Sequence, residues 1–316
     1  MAQKQSSQIV FWAGVVAIVV VVGFVIYKTQ GGGNPQPPAE AAAPVKKMAR
    51  VSKTVPRTTQ PMEEYTQYYK SAVYEARSEK FSFDLPYYWF APRKPWPAGI
   101  KFPLVVLLHG ASGTAPGGKY LIQADIQLEY PAFIVAPVMP VGVLFAGPET
   151  FPGYPKYKKI AHAPRGMFAV MGLVEEFAKT HPVDTSRIYV MGCSEGGVGA
   201  FGAVKEYPDI VTAAVAISGG WSADDARSFL RTPMLVLHGA QDKMMPPSLS
   251  SGVSEAVRQL GGPLQYIEFP AQGHDCTSPN QYSKIVLNWL FAQKKASLPV
   301  QAQTPAQAPA SAAPAP

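Results

Sequence analysis

Ser194 stands in Gly192-Cys193-Ser194-Glu195-Gly196, between Arg187-Ile188-Tyr189-Val190-Met191 and a segment covering residues 197–206. The first flank reads as a short buried strand and the second as a helix. A serine at such a strand-to-helix turn is placed for nucleophilic chemistry. The turn is tight enough to exclude bulk at positions 192 and 196, and it leaves the hydroxyl exposed at the carboxyl edge of the sheet. The free N–H groups and positive dipole end of the following helix then face any oxyanion formed there.

A serine hydroxyl needs a base, and two of the five histidines, His238 and His274, follow it in the chain. Met234-Leu235-Val236-Leu237-His238 reads as a buried strand, and the turn Gly239-Ala240-Gln241-Asp242 after it carries an acid. Residues 264–269 form the next strand, and Gln272-Gly273-His274-Asp275 is the loop beyond it. Asp242 and His274 therefore fall just after consecutive strands, on the sheet edge that carries Ser194. There His274 can take the proton of Ser194 while Asp242 holds its tautomer and stabilises the imidazolium. Asp275 is a rival acid, but adjacent side chains seldom face each other. Asp224 and Asp225 are others, and read more simply as the first turn of a helix capped by Ser222. His238 reads as a structural residue at the end of its strand. The oxyanion needs two converging N–H groups. One is expected from Glu195, and the other from the loop His109-Gly110-Ala111-Ser112-Gly113, with Ala111 preferred to Ser112. This chemistry calls for no metal and no cofactor.

These pieces together resemble the α/β-hydrolase superfamily, in its secreted esterase branch. That branch includes proteins labelled predicted peptidases, feruloyl-esterase-like enzymes and polyhydroxybutyrate-depolymerase-like enzymes. The resemblance runs from about residue 81 to residue 293, roughly two thirds of the chain. It is carried by Pro103-Leu104-Val105-Val106-Leu107-Leu108-His109-Gly110-Ala111, by Val183-Asp184-Thr185-Ser186-Arg187 before the serine turn, by Gly239-Ala240-Gln241-Asp242 with Pro246, and by Gly273-His274-Asp275. It implies a triad in the order serine, acid, histidine, and hydrolysis of carboxylic esters through an acyl-enzyme. The motifs specify the fold well and the substrate poorly.

The elements agree with that resemblance. Short, continuously apolar strands alternate with amphipathic segments, the pattern of a mostly parallel twisted sheet with helices on both faces. Helices are expected at residues 166–179, 197–206, 222–230, 248–260 and 280–292. Phe81-Ser82-Phe83 and Tyr87-Tyr88-Trp89-Phe90 suggest an antiparallel hairpin at the sheet edge. The organisation expected is an anchor at 1–28, a basic Pro/Ala/Gly-rich linker at 29–61, a catalytic domain at 62–295 and an Ala/Pro/Gln tail at 296–316.

Residues 9–27 carry no charge and at ~1.5 Å per residue can span a bilayer core. The stretch is longer than the apolar region of a cleaved signal peptide. A single-pass anchor is therefore expected, with the membrane as a partner. The net charge of +7 is concentrated just after that stretch: between residues 28 and 57, Lys28, Lys46, Lys47, Arg50, Lys53 and Arg57 face only Glu40. The basic balance thus describes the linker, and no nucleic-acid motif accompanies it. Positive charge after the span favours a cytoplasmic domain, whereas the tether and the resemblance to secreted esterases favour the periplasmic or extracytoplasmic side, which is the placement expected here.

Residues 140–165 insert Phe145, Phe151, Tyr154, Tyr157, His162 and several prolines at the active edge, either as a substrate rim or as a cover for the core. The two cysteines, Cys193 and Cys276, flank the proposed nucleophile and base. Tannase-type feruloyl esterases resemble this arrangement, with a cysteine beside the serine bonded to one directly beside the histidine. Here Asp275 intervenes, and two buried thiols remain the other reading. Three function classes follow: a membrane-anchored serine esterase acting on small or medium esters, a serine peptidase on the same triad, and a non-catalytic envelope binding protein that keeps the fold.

Overall fold

The computed structural model describes residues 49–50, 67–78, 81–111, 113, 115, 117–147 and 165–295. The strands are β1 (Ala49–Arg50), β2 (Lys70–Arg77), β3 (Phe81–Phe90), β4 (Phe102–Leu108), β5 (Phe133–Pro137), β6 (Val183–Cys193), β7 (Ala213–Ile217), β8 (Met234–Gly239) and β9 (Leu264–Phe269). They form one sheet in the order β1-β3-β5-β4-β6-β7-β8-β9, with β2 paired to β3. From β5 to β9 every pairing is parallel. β3 runs antiparallel to both β2 and β5.

Burial on both faces explains the apolar runs. Along β4, Leu104, Val106 and Leu108 enter one core, while Val105 and Leu107 enter the other. The first core is closed by α3 (Met167–Thr180), α4 (Glu195–Glu206), a 3-10 helix at Ala223–Phe229 and α5 (Ser248–Gln259). The second is closed by α1 (Gly117–Leu121), α2 (Ala124–Glu129) and α6 (Lys284–Phe291). The chain therefore leaves β4 toward one face and β6, its neighbour, toward the other. Connections that diverge from adjacent parallel strands open a crevice at their carboxyl ends, where ligands of such sheets bind.

The edge differs from the expected hairpin. Residues 81–90 form one ten-residue strand, and its antiparallel partner is β2. Pro86 does not break it. The Pro86 carbonyl accepts from Val138 N–H at 2.7 Å, so its nitrogen faces the same side, just beyond the last β3–β5 pair at Tyr87 and Pro137. Extending the Tyr87–Pro137 register puts Val138 opposite Pro86, so the missing N–H forfeits one reciprocal bond past the end of the ladder, where proline is tolerated. The segment after Ser222 winds as a 3-10 helix with Ser222 Oγ accepting from Asp224 N–H, and α6 is shorter than its sequence pattern suggests.

The expected amino-terminal transmembrane helix is corrected. Among the described residues no helix is long and apolar enough to cross a membrane. α3, with 14 residues, reaches about 21 Å against a hydrocarbon core of about 30 Å, and its apolar side is already covered by the sheet. Residues 9–27, on which the anchor was placed, lie outside the described residues. The membrane-anchored assignment, the membrane partner and the single-pass, extracytoplasmic localisation that followed from it are withdrawn.

Candidate active site

β6 ends at Cys193 and α4 begins at Glu195, so a single residue makes the turn. That residue, Ser194, has φ 58°, a left-handed value that costs a non-glycine side chain of order 1–3 kcal/mol. Ser194 N–H donates to the Ile217 carbonyl at 2.9 Å and its own carbonyl accepts from Val198 N–H at 3.0 Å, which holds the strained residue in place. A Cβ on Gly192 would lie 2.1 Å from the Gly196 carbonyl oxygen, and one on Gly196 would lie 2.3 Å from that of Leu108. Only glycine lets the elbow close on itself and on β4.

The structure brings the sequence-derived residues together. His274 Nε2 lies 3.0 Å from Ser194 Oγ, and His274 Nδ1 lies 2.7 Å from Asp242 Oδ2. With Nδ1–H donating to the carboxylate, Nε2 is the acceptor and faces the serine hydroxyl. Asp242 is buried, and its Oδ1 accepts from Met244 N–H and Met245 N–H, both at 2.8 Å. The rival acids are committed elsewhere. Asp275 Oδ1 accepts from Thr277 N–H and Thr277 Oγ1, and Asp225 binds Lys205 and Trp221 Nε1.

The loop after β4 lies against Ser194: the Cβ position of Gly110 is 3.5 Å from Ser194 Cβ. His109, which the sequence offered only as part of a small-residue loop, sets its orientation. Met139 N–H donates to His109 Nε2 at 2.9 Å, so the ring hydrogen is on Nδ1, which lies 2.6 Å from the Gly110 carbonyl. Gly113 N–H also reaches that carbonyl, at 2.9 Å. Burial pushes the His109 pKa down and keeps the ring neutral. In a trans peptide the C=O and the next N–H point in opposite directions. Holding Gly110 C=O therefore turns Ala111 N–H the other way. Glu195, the first residue of α4, supplies one of the N–H groups that a helix leaves without an internal partner. Ser112 lies outside the described residues.

A disulfide joins Cys193 to Cys276, with Cα atoms 5.7 Å apart across a sequence separation of 83. It ties the residue before Ser194 to the loop carrying His274. The buried side chain of Gln281 reinforces that loop through Nε2 to the Asp275 carbonyl at 2.7 Å, a contact with no signature in the sequence. Of the 140–165 insertion, Phe145 is fully buried, with its ring 4.7 Å from that of His109. This part covers the core. Phe151, Tyr154, Tyr157 and His162 lie outside the described residues.

A family model described as phospholipase/carboxylesterase matches residues 97–286. The chain belongs to the phospholipase/carboxylesterase family. Its strand order and elbow are those of the α/β-hydrolase superfamily, and Ser194, His274 and Asp242 stand in the geometry of a serine-hydrolase triad. Among solved structures, a thermostable esterase is 24% identical with a TM-score of 0.64, over 73% of this chain and 64% of that one. The match thus spans slightly less than two thirds of that protein. A Klebsiella pneumoniae protein named as a dienelactone hydrolase is 20% identical with a TM-score of 0.53, over 71% of this chain and 99% of that one. A ferulic acid esterase is 18% identical with a TM-score of 0.51, over 70% of this chain and 95% of that one. At these identities the likeness establishes the fold. A search of curated proteins found no match.

Two expectations follow. The Glu195 carboxyl sits partly buried at the start of α4, where it accepts from Phe145 N–H at 3.3 Å. Burial raises its pKa from 4.5 to about 7, against the opposing effects of that hydrogen bond and the Arg165 charge. The folded state therefore holds this proton more tightly than the unfolded state, and stability falls as pH rises from 4.5 through about 7. Glu195→Gln, which keeps the acceptor, is expected to be more stable than wild type by about 2–3 kcal/mol at pH 8.5 and nearly equal at pH 4.5, measured by urea unfolding. Replacing both Cys193 and Cys276 by alanine is expected to cost about 4–5 kcal/mol before strain is considered, from the loop they close. The turnover of the folded fraction should fall as well, because the base loop loses its tie to the elbow.

Proposed function

We propose that the protein hydrolyses carboxylic esters through an acyl-enzyme, with Ser194 as nucleophile, His274 as general base and then acid, and Asp242 as the carboxylate that orients and stabilises the imidazolium. The observation that carries this reading is the continuous line from Ser194 Oγ to His274 Nε2 at 3.0 Å and from His274 Nδ1 to Asp242 at 2.7 Å. In the first half-reaction Ser194 Oγ attacks the ester carbonyl and its proton passes to His274. Collapse of the tetrahedral intermediate expels the alcohol, which takes that proton. Water then attacks the acyl-enzyme by the same path. Ala111 N–H and Glu195 N–H are the proposed oxyanion donors, supported by the peptide orientation that His109 sets and by the free end of α4.

The catalytic domain in this reading spans residues 62–295, with β1 added to its edge by the preceding segment. For substrate class we favour small or medium esters with an aromatic or hydroxyalkanoate acyl group, as in the feruloyl-esterase-like and polyhydroxybutyrate-depolymerase-like branch. The cysteine pair flanking the serine and the histidine loop supports the feruloyl side of that choice.

The test is a panel of p-nitrophenyl esters, feruloyl esters and aminoacyl amides. Ester turnover is expected, with amides far slower. Ser194→Ala should lower kcat by several powers of ten while thermal unfolding stays close to wild type. Undiminished ester turnover in that variant, free of contaminating esterase, would remove Ser194 from the mechanism. Preferential cleavage of aminoacyl amides would replace the esterase reading with a peptidase one.

A further inference from the structure

His238 is completely buried, and the sequence marks it only as a strand-end histidine. Its ring is bonded on both nitrogens. Nε2 lies 3.0 Å from the Met245 carbonyl and 3.2 Å from Asp242 Oδ2. Both neighbours are acceptors, so Nε2 carries hydrogen. Nδ1 lies 2.8 Å from Ser250 Oγ, whose single hydroxyl hydrogen has a second acceptor, the Gly219 carbonyl, at 3.0 Å. A neutral ring requires that hydrogen to go to Nδ1, and burial favours the neutral ring.

We propose that His238 is a positioning residue for the hydrolytic site, whose Nε2–H holds Asp242 Oδ2 in place and moderates the charge that this oxygen presents to His274. The argument is geometric. Asp242 Oδ2 is shared by two histidines, with His274 Nδ1 at 2.7 Å and, at 3.2 Å, a His238 Nε2–H that it shares with the Met245 carbonyl at 3.0 Å, while Oδ1 is fixed by two backbone N–H groups. Every oxygen contact of the acid is thus set by β8, by the turn after it, or by His274. The second donor draws electron density from the oxygen that pairs with the base. Without it, the carboxylate turns more freely and stabilises the His274 imidazolium more strongly.

The titratable groups facing His238 are Asp242, from the turn after its own strand, and His274, from the loop after β9. α5 and the segment after β7 present the Ser250 hydroxyl and the Gly219 carbonyl. His274 itself faces Asp242 and Ser194.

This inference rests on the reading of Asp242 as the acid of the triad. The test measures kcat, KM and the pH dependence of kcat/KM on a p-nitrophenyl ester, per active site titrated with a fluorophosphonate. In His238→Ala, kcat is expected to fall about 10–100-fold with a smaller change in KM. The acid limb of kcat/KM should move upward by about half a pH unit, because the carboxylate has lost a donor. His238→Gln, whose side-chain amide can reach the place of Nε2, should restore the limb and most of kcat. Should His238→Ala fail to fold, Ser250→Ala provides the second variant. It removes the partner that fixes the ring, and the limb should move in the same direction by less. A merely structural histidine would lower stability and the titrated fraction while leaving kcat per site and the acid limb unchanged. That result, in His238→Ala or in Ser250→Ala, overturns the proposal. Asp242→Asn separates the two failures. Severe loss there with an unmoved His238 profile refutes only the positioning role, whereas wild-type turnover in Asp242→Asn refutes the triad assignment itself.

Discussion

The Asp242 carboxylate is the point on which the site depends. Removing such a group from water costs several kcal/mol unless donors replace the lost hydration. Four donors do so: two backbone N–H groups of the turn after β8, His238 from the strand end, and His274 from the loop after β9. Satisfying the charge therefore requires β8, its turn and the base loop to be in register. Once they are, His274 has one free nitrogen and one direction for it to face. Ser194 lies in that direction because β6 ends two strands away on the same sheet edge.

The backbone has its own constraint at the elbow, where chain approaches chain too closely for any side chain at positions 192 and 196. The positive φ of Ser194 is held by a hydrogen bond to β7 and by the first turn of α4. Strain of this size persists only where the surroundings over-determine the conformation, and two cores pressing on opposite faces of β4 and β6 provide that. The crevice between those strands, His109 turning the Gly110 peptide, and the disulfide across the mouth of the base loop all follow from the same packing.

Much of this was legible in the residues. Apolar runs such as Leu104-Val105-Val106-Leu107-Leu108 state a doubly covered parallel strand, and Gly192 and Gly196 around Ser194 state a turn that excludes bulk. Asp242 and His274 could be chosen because each follows a strand by a few residues, which puts both on one sheet edge. What escaped was of two kinds. Contacts made across the fold, such as His109 to Met139 or His238 to Ser250, leave no trace in local spacing. The edge hairpin expected within residues 81–90 is one strand, and only the sheet partner shows that the Pro86 nitrogen falls beyond the ladder. β2 did carry a signal, since Ala72, Tyr74 and Ala76 alternate with exposed residues. For residues 9–27, which lie outside the described residues, an uncharged apolar stretch of spanning length does not by itself establish a spanning helix.

The central claim is that an ester passes its acyl group to Ser194. It is tested most directly by mixing the protein with a slowly deacylating p-nitrophenyl ester, quenching in acid within the first turnover, and mapping the adduct by peptide mass spectrometry. The account predicts one acyl group per chain, on the peptide containing Ser194 and on that residue, in step with a burst of p-nitrophenol. A burst whose acyl group maps to another residue, or steady hydrolysis with no Ser194 adduct even when deacylation is rate-limiting, would contradict it.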